Sequence, residues 1–150
     1  MATPKKDFFS VLLADDDSDD RMLFEEAVSE LALDLDLQMV KDGEELMQYL
    51  SSALILPEFL FLDLNMPFKN GFKCLEEIRA NNILQEIFVI IYSTTSNKSH
   101  IDEAFEKGAN LFIKKPNSFS DLKTILSKLF SLDIKKCFSA VPKDKFVFEV

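Results

Sequence analysis

Two cysteines, one histidine, three glycines, five prolines and no tryptophan occur among 150 residues. Cys74 and Cys137 stand far apart and make no disulfide framework, so free thiols in a reducing, cytoplasmic setting are expected. One His and two Cys are too few soft ligands for a zinc site, and any metal here must be held by oxygen. Basic side chains are also in short supply: 17 Lys and Arg face 26 Asp and Glu, for a net charge of −9. That excludes a basic groove for nucleic acid, whose phosphates need clustered Lys and Arg. No apolar run approaches the roughly 20 residues that cross a bilayer. The start, Met1-Ala2-Thr3-Pro4-Lys5-Lys6-Asp7, shows no apolar signal region before its charged stretch. Neither nucleic acid nor membrane is an expected partner.

What is present is a soluble globular composition, 47% hydrophobic and 29% charged, at the length of one domain. The 15 Phe are scattered, at Phe9, Phe24, Phe59, Phe61, Phe88 and Phe112 among others. Such placement favours core filling over an aromatic binding surface. Short apolar runs alternate with helical spacing. Ser10–Ala14, Leu37–Val40, Phe59–Leu62, Ile87–Tyr92 and Asn110–Ile113 read as strands. Helices are predicted over Asp19–Leu33, Glu44–Leu50, Gly71–Ala80, Ser99–Lys107 and Phe119–Leu132. The first is expected to bury Met22, Leu23, Ala27, Val28 and Leu31, and Gly108 caps the fourth. Five strands alternating with five helices argue for an α/β fold, a doubly wound parallel sheet covered on both sides. In such sheets ligands sit beyond the carboxyl ends of the strands.

Those ends carry chemistry. The first strand ends in Asp15-Asp16-Asp17, the third in Asp63, the fourth in Ser93-Thr94-Thr95, and the fifth in Lys114-Lys115-Pro116. Carboxylates about 4 Å apart repel by about 4 kcal/mol at an effective dielectric near 20. Either a positive group offsets that or one acid takes a proton. Lys115 supplies a single charge. A hard divalent cation suits the remaining oxygens, and Mg²⁺, which keeps waters and leaves room for a phosphate oxygen, suits phosphoryl transfer. A carboxylate between metal and ammonium can attack phosphorus while the cations absorb charge on the phosphoryl oxygens. Plainer roles exist too: Asp17, Ser18 and Asp19 are placed to cap a helix. An EF-hand is rejected despite Asp15, Asp17, Asp19 and Glu26 at calcium-loop spacing, because Asp20 stands where the loop needs Gly and a strand precedes it.

Taken in order, these residues resemble the receiver domain of two-component response regulators over roughly residues 9–131. The resemblance rests on Leu13-Ala14-Asp15-Asp16, on Leu62-Asp63-Leu64-Asn65-Met66-Pro67 with Gly71, on Tyr92-Ser93-Thr94, and on Gly108-Ala109-Asn110 with Lys115-Pro116. It implies a flavodoxin-like sheet in the order 2-1-3-4-5. Asp63 would be the phosphoacceptor, charged from a histidine on a sensor kinase or phosphotransfer protein. Asp15 and Asp16, with Asp63 and the backbone carbonyl of Asn65, would hold Mg²⁺ or Mn²⁺. Lys115 would pair with Asp63 or its phosphate. Ser93 and Phe112 would be the switch hydroxyl and the switch aromatic, although Phe112 is also plain core filling. Asn65 and Thr95 stand at the positions that tune self-hydrolysis. Lys115-Pro116 would be a cis peptide, as is usual in this family. Phosphorylation would repack the face formed by the fourth helix, fifth strand and fifth helix, where a downstream protein binds, with a coupling of about 1–3 kcal/mol. Lys41-Asp42-Gly43-Glu44-Glu45 and Ser93-Thr94-Thr95-Ser96 are similar to single-domain receivers of the phytochrome-associated type.

The expected organisation is an N-terminal tail (1–8), a receiver (9–133) and a C-terminal extension (134–150). About 18 residues follow the last helix, which favours a stand-alone receiver over one joined to an output domain. The extension carries four basic and two acidic side chains, against thirteen and twenty-four before it. Its end, Lys145-Phe146-Val147-Phe148-Glu149-Val150, is apolar enough to seek burial. It can pack on its own acidic domain, add a strand to a neighbour, or hold a homodimer. His100 reads as a surface residue. Two rivals remain: a phosphatase of the haloacid-dehalogenase type, in which Asn65 occupies the place of the general acid, and a module that binds partners without phosphate. The signalling reading makes the chain no conventional enzyme.

Overall fold

The computed structural model describes residues 9–95 and 97–149. The expected tail of residues 1–8 lies outside the described residues, as do Ser96 and Val150. The chain runs β1 (Phe9–Ala14), α1 (Ser18–Glu30), β2 (Leu35–Val40), α2 (Gly43–Ser52), β3 (Phe59–Leu62), α3 (Gly71–Ala80), β4 (Phe88–Ser93), α4 (Lys98–Glu106), β5 (Leu111–Lys114) and α5 (Phe119–Phe130). A short α6 (Ile134–Cys137) and a 3₁₀ turn (Lys143–Lys145) follow. The strands form one parallel sheet in the order β2-β1-β3-β4-β5. Short polar side chains start the helices where the backbone needs acceptors. Asp17 accepts from the amides of Asp19 and Asp20, Asn70 from Lys73, Asn97 from His100 and Ser118 from Asp121.

Successive strand residues point to opposite faces, and both faces are apolar because helices cover both. Leu12, Leu60, Leu62, Val89, Ile91 and Phe112 pack with Leu46, Leu75, Ile78 and Ala104 of α2, α3 and α4. Leu13, Phe59, Phe61, Ile90 and Ile113 pack with Phe24 and Ala27 of α1 and with Leu122, Ile125 and Leu126 of α5. The Phe residues therefore concentrate on the α1/α5 side, where Phe24 meets Phe61 edge-on at 5.0 Å and Tyr92 at 5.7 Å. Phe68 is the exception: it is 80% exposed.

Two expectations need correction. Met22 and Leu23 do not enter the core. They are exposed, while Phe24 is fully buried in their stead, because α1 is rotated so that its one ring meets Phe61 and Tyr92. No cis peptide occurs among the described residues, so the Lys115–Pro116 bond is trans. The long Lys115 stem reaches the carboxylates from that geometry, with its own N–H donating to the Ser93 carbonyl at 2.8 Å.

The extension packs on its own domain. Ile134 is buried on the α1/α5 side. Val147 pairs with Phe112 in a parallel bridge along the outer edge of β5. Its two neighbours do not share a face as strand neighbours would, because Phe146 is still helical at the end of the 3₁₀ turn (φ −68°, ψ −38°): Phe146 joins the core under α4, and Phe148 the core under α5.

Candidate functional site

Asp15, Asp63 and Lys115 follow Leu13, Phe61 and Ile113 at strand spacing, so all three emerge on the α1/α5 side of the rim. The Lys115 ammonium lies 2.7 Å from Asp15 Oδ2, 2.9 Å from Asp20 Oδ2 and 3.2 Å from Asp63 Oδ2. It also stands over the Tyr92 ring. Asp15 and Asp63 are buried, whereas Asp16 is exposed at the mouth. One carboxylate oxygen from each of Asp15, Asp16 and Asp63 lies within 4.8 Å of the others. The Asp63 Oδ1 accepts the Asn65 amide at 3.2 Å, and Asp15 Oδ1 accepts the Asp17 amide at 3.0 Å. Gly71 is required here, because a side chain at that position would collide with the Asp63 carbonyl oxygen. Its absence lets α3 start directly against the end of β3.

The electrostatics are unfavourable by construction. Three acids surround one ammonium, and a fourth, Asp16, stands at the mouth. Burial pushes the Asp15 carboxyl up to about 6, with Lys115 pulling it back. Burial likewise raises Asp63, against the opposing pull of Lys115. Lys115 is raised above its ordinary value despite burial, because Asp15, Asp20 and Asp63 all favour its charged form. At an effective dielectric near 20, two charged carboxylates at 4.8 Å still repel by about 3.5 kcal/mol. The donor set is all oxygen, it is short of positive charge, and Asp16 leaves it open to solvent. Those properties fit a hard divalent cation.

A cleft of about 500 Å³ opens above these groups, lined by Asp16, Asp17, Ser18, Asp20, Asp63, Asn65, Thr94 and Lys115. Ser93 is not among the lining residues. It is fully buried, in register with Val89 and Ile91 on the α3/α4 side, and its hydroxyl accepts the Thr95 amide at 3.3 Å. Phe112 shares that side of the sheet and is also fully buried. Asn65 and Thr95 meet across the mouth, Asn65 Nδ2 donating to Thr95 Oγ1 at 3.4 Å. Two contributors escaped the sequence reading. Asp20 pairs with Lys115, and Arg21 Nη1 donates to the Asp15 carbonyl at 2.7 Å. The available signal was the Asp17 cap, since residues three and four beyond it lie one turn into α1, above the same rim. His100 is partly exposed at the surface, with its ring 5.7 Å from that of Phe72.

Residues 11–127 match the family described as the response regulator receiver domain. The chain belongs to the response regulator receiver family. It is 29% identical to the response regulator Rcp1 of Synechocystis over 75% of this chain and 80% of that protein. It is also 29% identical to the chemotaxis protein CheY-3 of Vibrio cholerae, over 80% and 90%. Among solved structures, the phosphorylated cyanobacterial phytochrome response regulator RcpA superposes with a TM-score of 0.76 at 28% identity, covering 89% of this chain and 95% of that one. The Mn²⁺-bound form of Rcp1 gives 0.75 at 26% identity, over 89% and 97%. Receiver domains are signalling modules of two-component phosphorelays, and they bind a divalent metal at an acidic pocket such as this one. No helix among the described residues is long and apolar enough to cross a membrane.

Proposed function

We propose that Asp63 accepts a phosphoryl group from a histidine on a sensor kinase or phosphotransfer protein, and that the modified chain changes which partner it binds. The observation that carries this reading is the setting of Asp63. It is a buried carboxylate at the floor of an open cleft, with one oxygen held by the Asn65 amide and the other by the Lys115 ammonium. Those two bonds orient the nucleophile and leave its solvent side free for an incoming phosphorus. Asp15, Asp16 and Asp63, with the Asn65 carbonyl, would hold Mg²⁺ or Mn²⁺. The cation would supply positive charge to the phosphoryl oxygens. Lys115 supplies the same from the protein side, and exchanges carboxylate partners for phosphate as charge moves to the acceptor. Asn65 and Thr95, already joined across the mouth, control how water reaches the acyl phosphate. Ser93 and Phe112 form the switch, the hydroxyl moving toward the phosphoryl group and the face of α4, β5 and α5 repacking for a downstream protein. The functional unit is residues 9–133, with 134–150 as its extension. The chain works in a cytoplasmic setting, a reading supported by the free thiols of Cys74 and Cys137.

The haloacid-dehalogenase alternative is not favoured, because Asn65 cannot donate the proton that a general acid would. Incubation with acetyl phosphate and Mg²⁺ tests the assignment. An acid-labile and base-labile phosphate, cleaved by hydroxylamine, on the peptide carrying Asp63 is the expected product. Steady turnover of organic phosphates would favour the phosphatase, and no reaction would favour a phosphate-independent module. The likeness to RcpA and Rcp1 makes a phytochrome-type histidine kinase the first protein donor to try.

A further inference from the structure

The β5 edge is not free in this chain. Residues 141–149 cross it and are anchored on three elements at once. On α4, Lys143 Nζ pairs with Asp102 at 2.9 Å, and Phe105 meets Phe146 edge-on at 5.2 Å. On β5, the Phe112 amide donates to the Phe146 carbonyl at 3.0 Å, and the Phe148 amide donates to the Phe112 carbonyl at 2.9 Å. On α5, Lys128 Nζ donates to the Glu149 carbonyl at 3.1 Å and stands 5.5 Å over the Phe148 ring. Phe146 is fully buried, with its ring 6.2 Å from that of Phe112.

We propose that residues 141–149 are a regulatory strap that closes the α4, β5 and α5 face in the unmodified chain and is released when Asp63 is phosphorylated. The inference rests on the phosphoacceptor reading above. Phe112 belongs to both devices. It pairs with Ile91 on β4, two residues before Ser93, and it forms the seat of Phe146. A strap pinned to three elements fits only one arrangement of them, so a shift of α4 or of the Phe112 ring breaks contacts on several sides. While docked, the strap occupies the hydrogen-bonding edge that an incoming strand would use and the apolar seat that an incoming helix would use. Coupling is reciprocal: whatever factor phosphorylation costs the strap, the docked strap costs a phosphoryl mimic at Asp63.

The test uses the full chain with Mg²⁺ and beryllium fluoride as the phosphoryl mimic. Amide hydrogen exchange is followed by NMR, and binding of the mimic is titrated. The Phe148 and Phe112 amides are expected to exchange about tenfold faster with the mimic bound, within the usual span of such couplings. Phe146→Ala is expected to bind the mimic more tightly by a similar factor. Lys143→Glu, a surface change that sets like charge beside Asp102, tests the same point without opening the core and is expected to shift affinity in the same direction. If the cleft amides of Asp17 and Asn65 respond while Phe148 and Phe112 do not, the strap is a fixed part of the fold and the proposal fails alone. If no amide responds at millimolar mimic, the phosphoacceptor reading falls and the coupling falls with it.

Discussion

Leu62 and Asp63 are neighbours in the chain and belong to opposite regimes. Leu62 is fully buried among apolar side chains, as are its sheet neighbours Ala14 and Ile91. Asp63 is nearly as buried, among Asp15, Asp20 and Lys115. Below this line, burial and stability agree, because each apolar side chain removed from water contributes about 1.5–3 kcal/mol. Above it they conflict, and burial lifts two carboxyls toward their neutral forms. The rim is the part of the molecule where stability is given up for reactivity, and it stands because the core beneath is strong enough to carry it.

Substitutions on either side of the line should separate the two properties. Asp63→Asn removes a buried charge. Phosphate incorporation from acetyl phosphate should vanish, while urea unfolding shows stability equal to or above that of the parent. A clear loss of stability would mean that Asp63 is structural. Leu126→Ala, in the core under α5, should do the reverse. It should lower stability by about 2–5 kcal/mol and leave the phosphorylation rate unchanged well below the melting temperature. Lys115→Met should slow phosphorylation about a hundredfold, as removal of one preorganised charge does. The Asp15 carboxyl should titrate near pH 6 in metal-free protein, followed by its carboxyl ¹³C shift, and Mg²⁺ should move that midpoint down. The folded pKa lies above the unfolded value of 3.8. The folded chain therefore holds this proton more tightly, and this group's contribution to stability improves as pH falls from about 6 toward 4. A midpoint near 4 without metal would mean that water reaches the pair freely. The smallest effect is expected at the mouth, where Thr95→Ala loses the contact with Asn65 and should change the lifetime of the acyl phosphate a few-fold without altering its formation.

Local pattern was sufficient for much of this. Apolar runs ending in acid, hydroxyl or lysine located the strands, with β3 and α3 found to the residue, and the doubly wound rule placed their ends on one rim. Helix faces were harder. Met22, Leu23 and Phe24 are all apolar and adjacent, and which of them turns inward depends on what waits across the gap. Here that is the rings of Phe61 and Tyr92.

The amino-acid sequence by itself determined the five strands and five main helices, their succession along the chain and, because strand ends of a doubly wound sheet share one rim, the gathering of Asp15, Asp63 and Lys115. Only the tertiary structure decided that Asp20 shares the Lys115 ammonium across 95 residues, that the bond before Pro116 is trans, and that Phe146 and Phe148 straddle the β5 edge. The reason is one of range. Periodicity states which side of an element is apolar, whereas the packing of α1 and the extension against β5 is settled by the shapes of surfaces that exist only after the sheet has formed.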